Sequence, residues 1–145
     1  MSYTSQYTHT QLGQDIDGEA TNDSSGKSIS FSSDGTIVAI GAFGNDGNGA
    51  NSANSGHVRV YEYSNSNSNW TQIGQDIDGE SAWNNSGYSV SLSSDGTIVA
   101  IGAKGNDDNV NNSGKVGVYQ YLVDTWTRIG QDIVGEASDD RSGWS

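Results

Sequence analysis

Three copies of one acidic motif contain the first residues in this chain whose types and spacing could do chemistry. Gly13-Gln14-Asp15-Ile16-Asp17-Gly18-Glu19 returns as Gly74-Gln75-Asp76-Ile77-Asp78-Gly79-Glu80. It returns again as Gly130-Gln131-Asp132-Ile133-Val134-Gly135-Glu136. Paired carboxylates with divergent pKa values perform general acid/base work. Asp17, Glu19, Asp78 and Glu80 gathered at a central cleft would therefore suit a glycan-processing enzyme. An active site, however, is a single constellation, whereas a feature present in every copy is usually architectural. Val134 also stands where the earlier copies have Asp17 and Asp78. The motif reads better as a connection between repeated units, its carboxylates accepting hydrogen bonds in turns.

Two Asn/Asp-rich loops are the other candidates. Gly44-Asn45-Asp46-Gly47-Asn48-Gly49-Ala50-Asn51 and Gly105-Asn106-Asp107-Asp108-Asn109 crowd oxygen ligands of the kind calcium takes. Asp46 with Asn48, or Asp107 with Asp108, would supply them. The copies differ in length and ligand order, and Asn, Asp and Gly are also ordinary turn residues, so the solvated-loop reading is the stronger. His9 and His57 have no repeated partner; His57 aligns with Lys115. No Gly-x-Ser-x-Gly elbow, phosphate loop or His-Glu-x-x-His helix occurs. Asn-x-Ser/Thr sequons at Asn22, Asn69, Asn84 and Asn111 follow from a chain rich in Asn and Ser. Trp70 and Trp126 recur at one place in the repeat and are expected to pack between units. Trp83 and Trp144 lie in polar stretches, where packing is again the stronger reading over a ligand or subunit contact.

Composition narrows the partners. The chain has 145 residues, with 6 Lys+Arg against 18 Asp+Glu, a formal net charge of −12. That balance argues against nucleic acid, whose binders cluster basic residues on one face. The absence of Cys removes disulfide scaffolds, thiolate zinc sites and a cysteine nucleophile. No apolar run is long enough to span a bilayer as a helix, and the N-terminal Met1-Ser2-Tyr3-Thr4 stretch shows no signal-peptide h-region. The apolar fraction is low, and Ser, Asn, Thr and Gly make up the polar bulk, a composition of short strands and many turns.

The elements that must carry these residues repeat as well. Ser32-Ser33-Asp34-Gly35-Thr36-Ile37-Val38-Ala39-Ile40-Gly41-Ala42 recurs intact at 93–103. Ser55 to Tyr63 matches Ser113 to Tyr121, and Trp70-Thr71-Gln72-Ile73 matches Trp126-Thr127-Arg128-Ile129. A repeat of about 60 residues signals an array whose units bury their faces against neighbours. Four strands are expected per unit: Ser28–Ser32 with two-residue alternation, an apolar β-branched Thr36–Ala42, His57–Tyr63, and Trp70 to about Ile77. Asp34-Gly35 and Asp95-Gly96 are expected to supply positive φ at hairpin turns. Four strands per unit is the arrangement of a β-propeller blade.

Ser-Gly-x-Ser-hydrophobic-Ser, then Asp-Gly-Thr-Ile-Val-Ala-Ile-Gly-Ala and later Gly-x-Val-x-Val-Tyr, resembles the FG-GAP repeats of integrin-α-like propellers. The family's Phe-Gly is replaced by Ser25-Gly26, Ser86-Gly87 and Ser142-Gly143, and the Pro of Gly-Ala-Pro by Phe43 and Lys104. The family's calcium loop has shrunk to Ser-Ser-Asp-Gly, too small for a cation that wants six to eight oxygens. The resemblance implies an all-β chain with two complete four-stranded antiparallel blades: 24–79 and 80–135. Residues 1–23 would be a trailing outer strand and connector, including a strand near Thr10–Ile16, and 136–145 the stub of a third repeat.

Two blades do not close a propeller, which needs roughly four to eight. The expectation is a protomer that completes a ring with copies of itself, three giving six blades or four giving eight. The function expected is a non-enzymatic binding or adhesion module, extracellular or at a cell surface within a larger protein, with a protein or glycan ligand. The alternatives are a carbohydrate-processing propeller enzyme and a purely structural repeat, including a solenoid whose Thr/Asn/Ser surface meets ice or polysaccharide.

Overall fold

A computed structural model of the chain describes residues 9–47 and 53–145. Strands β1 (Ser28–Phe31), β2 (Ile37–Ala42), β3 (His57–Ser64) and β4 (Asn69–Gln72) form one antiparallel sheet in sequence order, and a two-residue β5 (Ile77–Asp78) pairs with the start of β3. Strands β6 (Ser86–Leu92), β7 (Ile98–Ala103), β8 (Lys115–Leu122), β9 (Thr125–Arg128) and β10 (Ile133–Val134) build the second sheet the same way. No helix occurs among the described residues, so none there could cross a membrane. The chain is all-β.

The hairpin between β1 and β2 differs in detail from expectation. Only Gly35 takes positive φ (73°), as does Gly96 (75°) in the second sheet. Asp34 instead accepts hydrogen bonds from Ser32 Oγ (2.7 Å), Thr36 N (3.0 Å) and Thr36 Oγ1 (2.8 Å), so its side chain closes the loop. These bonds, led by that from Ser32, hold its carboxyl down to about 2 from an ordinary 3.8.

The expected fourth strand is broken. Its chain leaves the sheet at Ile73, turns at Gly74 (φ 72°), and rejoins β3 at Ile77. The detour reaches the second sheet: Trp126 donates its indole N–H to Ile73 O (2.9 Å), and Gln75 exchanges two bonds with the Trp126 backbone. Leu12 O receives the Trp70 indole N–H in the same way (2.9 Å). The segment expected as a strand near Thr10–Ile16 therefore lies along Trp70 without joining the ladder, its described residues carrying no strand.

Strand alternation gives each sheet two unlike faces. Ala39, Val58, Val60 and Ile77 of the first sheet pack on Val99, Ile101 and Trp126 of the second, with Val90, Leu92 and Tyr119 beside them. The approach is close at Gly41, where a Cβ would land on the Gly87 carbonyl. Ser28 Oγ donates to that same carbonyl (2.8 Å), and Ser30 Oγ accepts from Leu92 N (2.9 Å). Small residues there let two backbones touch.

Candidate functional site

The repeated acidic motif runs into the start of the third strand of each sheet, and there each repeat builds a cage around one buried side chain. In the second repeat that side chain is Lys115, 4% exposed. Its Nζ lies 2.5 Å from Glu80 Oε2, 2.9 Å from Asp108 Oδ2 and 3.2 Å from Asp132 Oδ2. Arg128 adds a second cation, 3.0 Å from Asp132 Oδ2 and in contact with Glu80 Oε1. Burial works against the ammonium, and the three carboxylate hydrogen bonds outweigh it, leaving the Lys115 pKa above its ordinary value. The bond to Lys115 is also the largest cause holding Glu80 and Asp108 below theirs.

His57 holds the corresponding place in the first repeat and is 1% exposed. Its Nδ1 stands 3.8 Å from Glu19 Oε2 and 3.9 Å from Asp76 Oδ2. The other oxygen of each carboxylate is tied elsewhere. Asp76 Oδ1 accepts from Gln72 Nε2 (2.7 Å), and Glu19 Oε1 faces Arg59 Nη1 (3.7 Å). Arg59 in turn donates to the Asp17 carbonyl (2.7 Å). Asp78 sits across the ladder from His57, and burial, then the charge of Asp76, pushes its pKa up.

Of the motif carboxylates, Asp15 and Asp76 accept local hydrogen bonds from Gln11 and Gln72, while Glu19, Glu80 and Asp132 pair with basic side chains that the expectation of turn hydrogen bonds did not include. Lys115 and Arg128 are the functional partners that sequence reasoning missed. The available signal was the alignment of His57 with Lys115, two basic side chains at one repeat position beside an acidic motif.

The loop candidates are held differently. Asp46 Oδ1 accepts from Asn54 N (2.9 Å) and Asp107 Oδ1 from Asn112 N (2.6 Å), each closing its own loop. Asp108 is committed to Lys115, and Asn48 lies outside the described residues. Trp126 is buried between the sheets, whereas Trp83 is exposed. Trp144 packs against Tyr88 with the rings tilted by 53°, and the Lys104 ammonium lies over both, 4.4 Å and 4.0 Å from their centroids.

One further feature is large enough to matter. On the first sheet, the face turned away from the second sheet carries Ile29 (59% exposed) and Phe31 (51% exposed). With Leu12, Ile16, Ile40 and Trp70 they line a cleft of about 300 Å³. Their repeat equivalents, Val90 and Leu92, are the residues the second sheet packs against the first. No family model matches this sequence, and no curated protein matches it.

Proposed function

We propose that this chain is a non-enzymatic binding module of FG-GAP-like type, two blades of a β-propeller that closes a ring with copies of itself. One observation carries the reading: the two outward faces are repeat equivalents of the two faces joined inside the chain. Ile29, Phe31, Val38 and Ile40 correspond to Val90, Leu92, Val99 and Ile101. On the other side, Ala100, Val116, Val118 and Ile133 correspond to Ala39, Val58, Val60 and Ile77, which are buried. A second copy can therefore dock head to tail by the contact the chain already makes, and heterologous contacts of this kind close rings. Three copies give six blades, and four give eight. Ser142-Gly143 now holds the slot on the second sheet that Ser86-Gly87 holds on the first, since Ser89 Oγ donates to Gly143 O (2.9 Å) as Ser28 does to Gly87. In the ring the incoming Ser25-Gly26 takes that slot.

Loops on one rim of such a ring would present the exposed Trp83 to a protein or glycan, in an extracellular or cell-surface setting. The binding reading is preferred to glycan hydrolysis because Glu80 is engaged by Lys115 and Arg128, and Glu19 faces His57 and Arg59.

Phe31→Asp and Ile133→Asp each spoil one face and leave the other intact. Light scattering should find each variant at the mass of one chain, and an equimolar mixture at the mass of two. A mixture that stays at one chain, or either variant associating like the unsubstituted protein, would overturn the proposal.

A further inference from the structure

The two cages pose the same physical problem and solve it with different residues. In the second repeat three carboxylates converge on a built-in cation, Lys115, with Arg128 beside it. The first repeat keeps two of these carboxylates, as Glu19 and Asp76, but has His57 in place of the lysine, Gln72 in place of Arg128 and Gly47 at the position of Asp108. Arg59 supplies one positive charge there, on the far oxygen of Glu19.

The local geometry is that of ligands held ready. Glu19 Oε2, His57 Nδ1 and Asp76 Oδ2 all lie within 4.8 Å of one another. Among the described residues the His57 ring has no hydrogen-bond partner, although its side chain is 2% exposed and its Nδ1 is aimed between the two carboxylates. Both carboxylates stand beyond hydrogen-bond distance of Nδ1, which leaves room for an ion between them and that nitrogen. Gln72 and Arg59 orient the carboxylates by their outer oxygens and leave the inner ones facing His57. That is the outer-shell support metal ligands usually have.

We infer that Glu19, His57 and Asp76 form a binding site for a divalent transition-metal ion of the Zn²⁺ or Co²⁺ kind. One imidazole nitrogen with two carboxylate oxygens suits such ions, whereas calcium takes oxygens alone. Tetrahedral ligands with bonds of about 2.1 Å stand about 3.4 Å apart. The observed 3.8 and 3.9 Å therefore need only a small closure, which the partly exposed Glu19 and Asp76 side chains can make. Water completes the coordination from the Glu19 side. The metal does in the first repeat what the Lys115 ammonium does in the second, bringing positive charge to the junction of β3 and the acidic motif.

The test is a titration of the chelator-treated full chain with Zn²⁺ by calorimetry and with Co²⁺ by proton NMR. One Zn²⁺ per chain should bind with micromolar or tighter affinity. The chain has only two histidines, and Co²⁺ should broaden and shift the His57 imidazole signals before those of His9. His57→Lys, which installs the second repeat's own solution, should fold and weaken Zn²⁺ binding at least 100-fold, and Glu19→Gln should weaken it about 10- to 100-fold. The inference fails if saturation is absent below millimolar Zn²⁺, if Co²⁺ acts first on His9, or if His57→Lys binds as tightly as the unsubstituted chain. Should His57→Lys not fold, the His57-against-His9 order in the unsubstituted protein decides.

Discussion

Lys115 shows what a single side chain does here. It is buried with Glu80, Asp108 and Asp132 around it, so removing its charge leaves carboxylates that burial already penalises. Lys115→Met should lower unfolding free energy by about 2–4 kcal/mol, less than for a fully enclosed pair because Glu80 and Asp108 are half exposed; urea denaturation measures it. Asp78 is the opposite case. Burial and the charges of Asp76 and Glu19 raise its pKa, so its ionised form opposes folding at neutral pH. Asp78→Asn should raise the melting temperature by about 1–3 °C, and the same position is Val134 in the third copy. Asp34 and Asp95 have depressed pKa values, Asp34 at about 2, through the serine and threonine bonds that close their hairpins. Their contribution is complete above the ordinary value near 4 and is lost as pH falls toward 2. An acid titration followed by circular dichroism should show stability declining through that window, less steeply in the Asp34→Asn, Asp95→Asn double variant. The Glu80 partnerships were not legible from local sequence, unlike the i,i+4 pair of Arg128 with Asp132. Lys115 and Glu80 are 35 residues apart and Arg128 and Glu80 are 48 apart, so only the folded repeat brings them together.

At the scale of elements, the β-branched run in Thr36–Ala42 was readable because β2 is largely buried, and burial leaves its mark in the residue types. The alternation in Ser28–Ser32 was also readable, but there the serines meet the second sheet while Ile29 and Phe31 stay exposed. The fourth strand was misjudged for a related reason. Trp70 to Ile77 carries strand-forming residues, but although Ile73 N still donates to Val60 O of β3, the Ile73 carbonyl and the Gln75 side chain turn to Trp126 of the other sheet. A tertiary contact outweighs the local pattern, and Gly74 supplies the turn it needs. Likewise Leu12 serves Trp70, which keeps its segment out of the ladder. Gly41 marks a tight junction between elements, since any side chain meets the Gly87 backbone. Gly41→Ala should cost about 1–3 kcal/mol through forced separation of the sheets. A thermal melt of that variant beside Gly26→Ala, whose Cβ would meet open space though its φ is positive, separates close packing from backbone strain.

For the whole molecule, the internal repeat makes the chain its own template. The contact between its sheets buries one pair of faces, and the equivalent pair faces outward with Ile29 and Phe31 on one side and Ile133 on the other. Exposed apolar surface on sheet faces is costly in water and favours association. Repetition was plain in the sequence. Which residues meet which was not, because that depends on the side of each sheet that the connection between sheets covers. Association driven by these faces must follow mass action, so it strengthens with concentration. Sedimentation equilibrium of the unsubstituted chain over a wide concentration range tests the ring directly. The account predicts a mass that rises to a plateau at three chains, or four, and stops there; a single-chain mass at every concentration would contradict it.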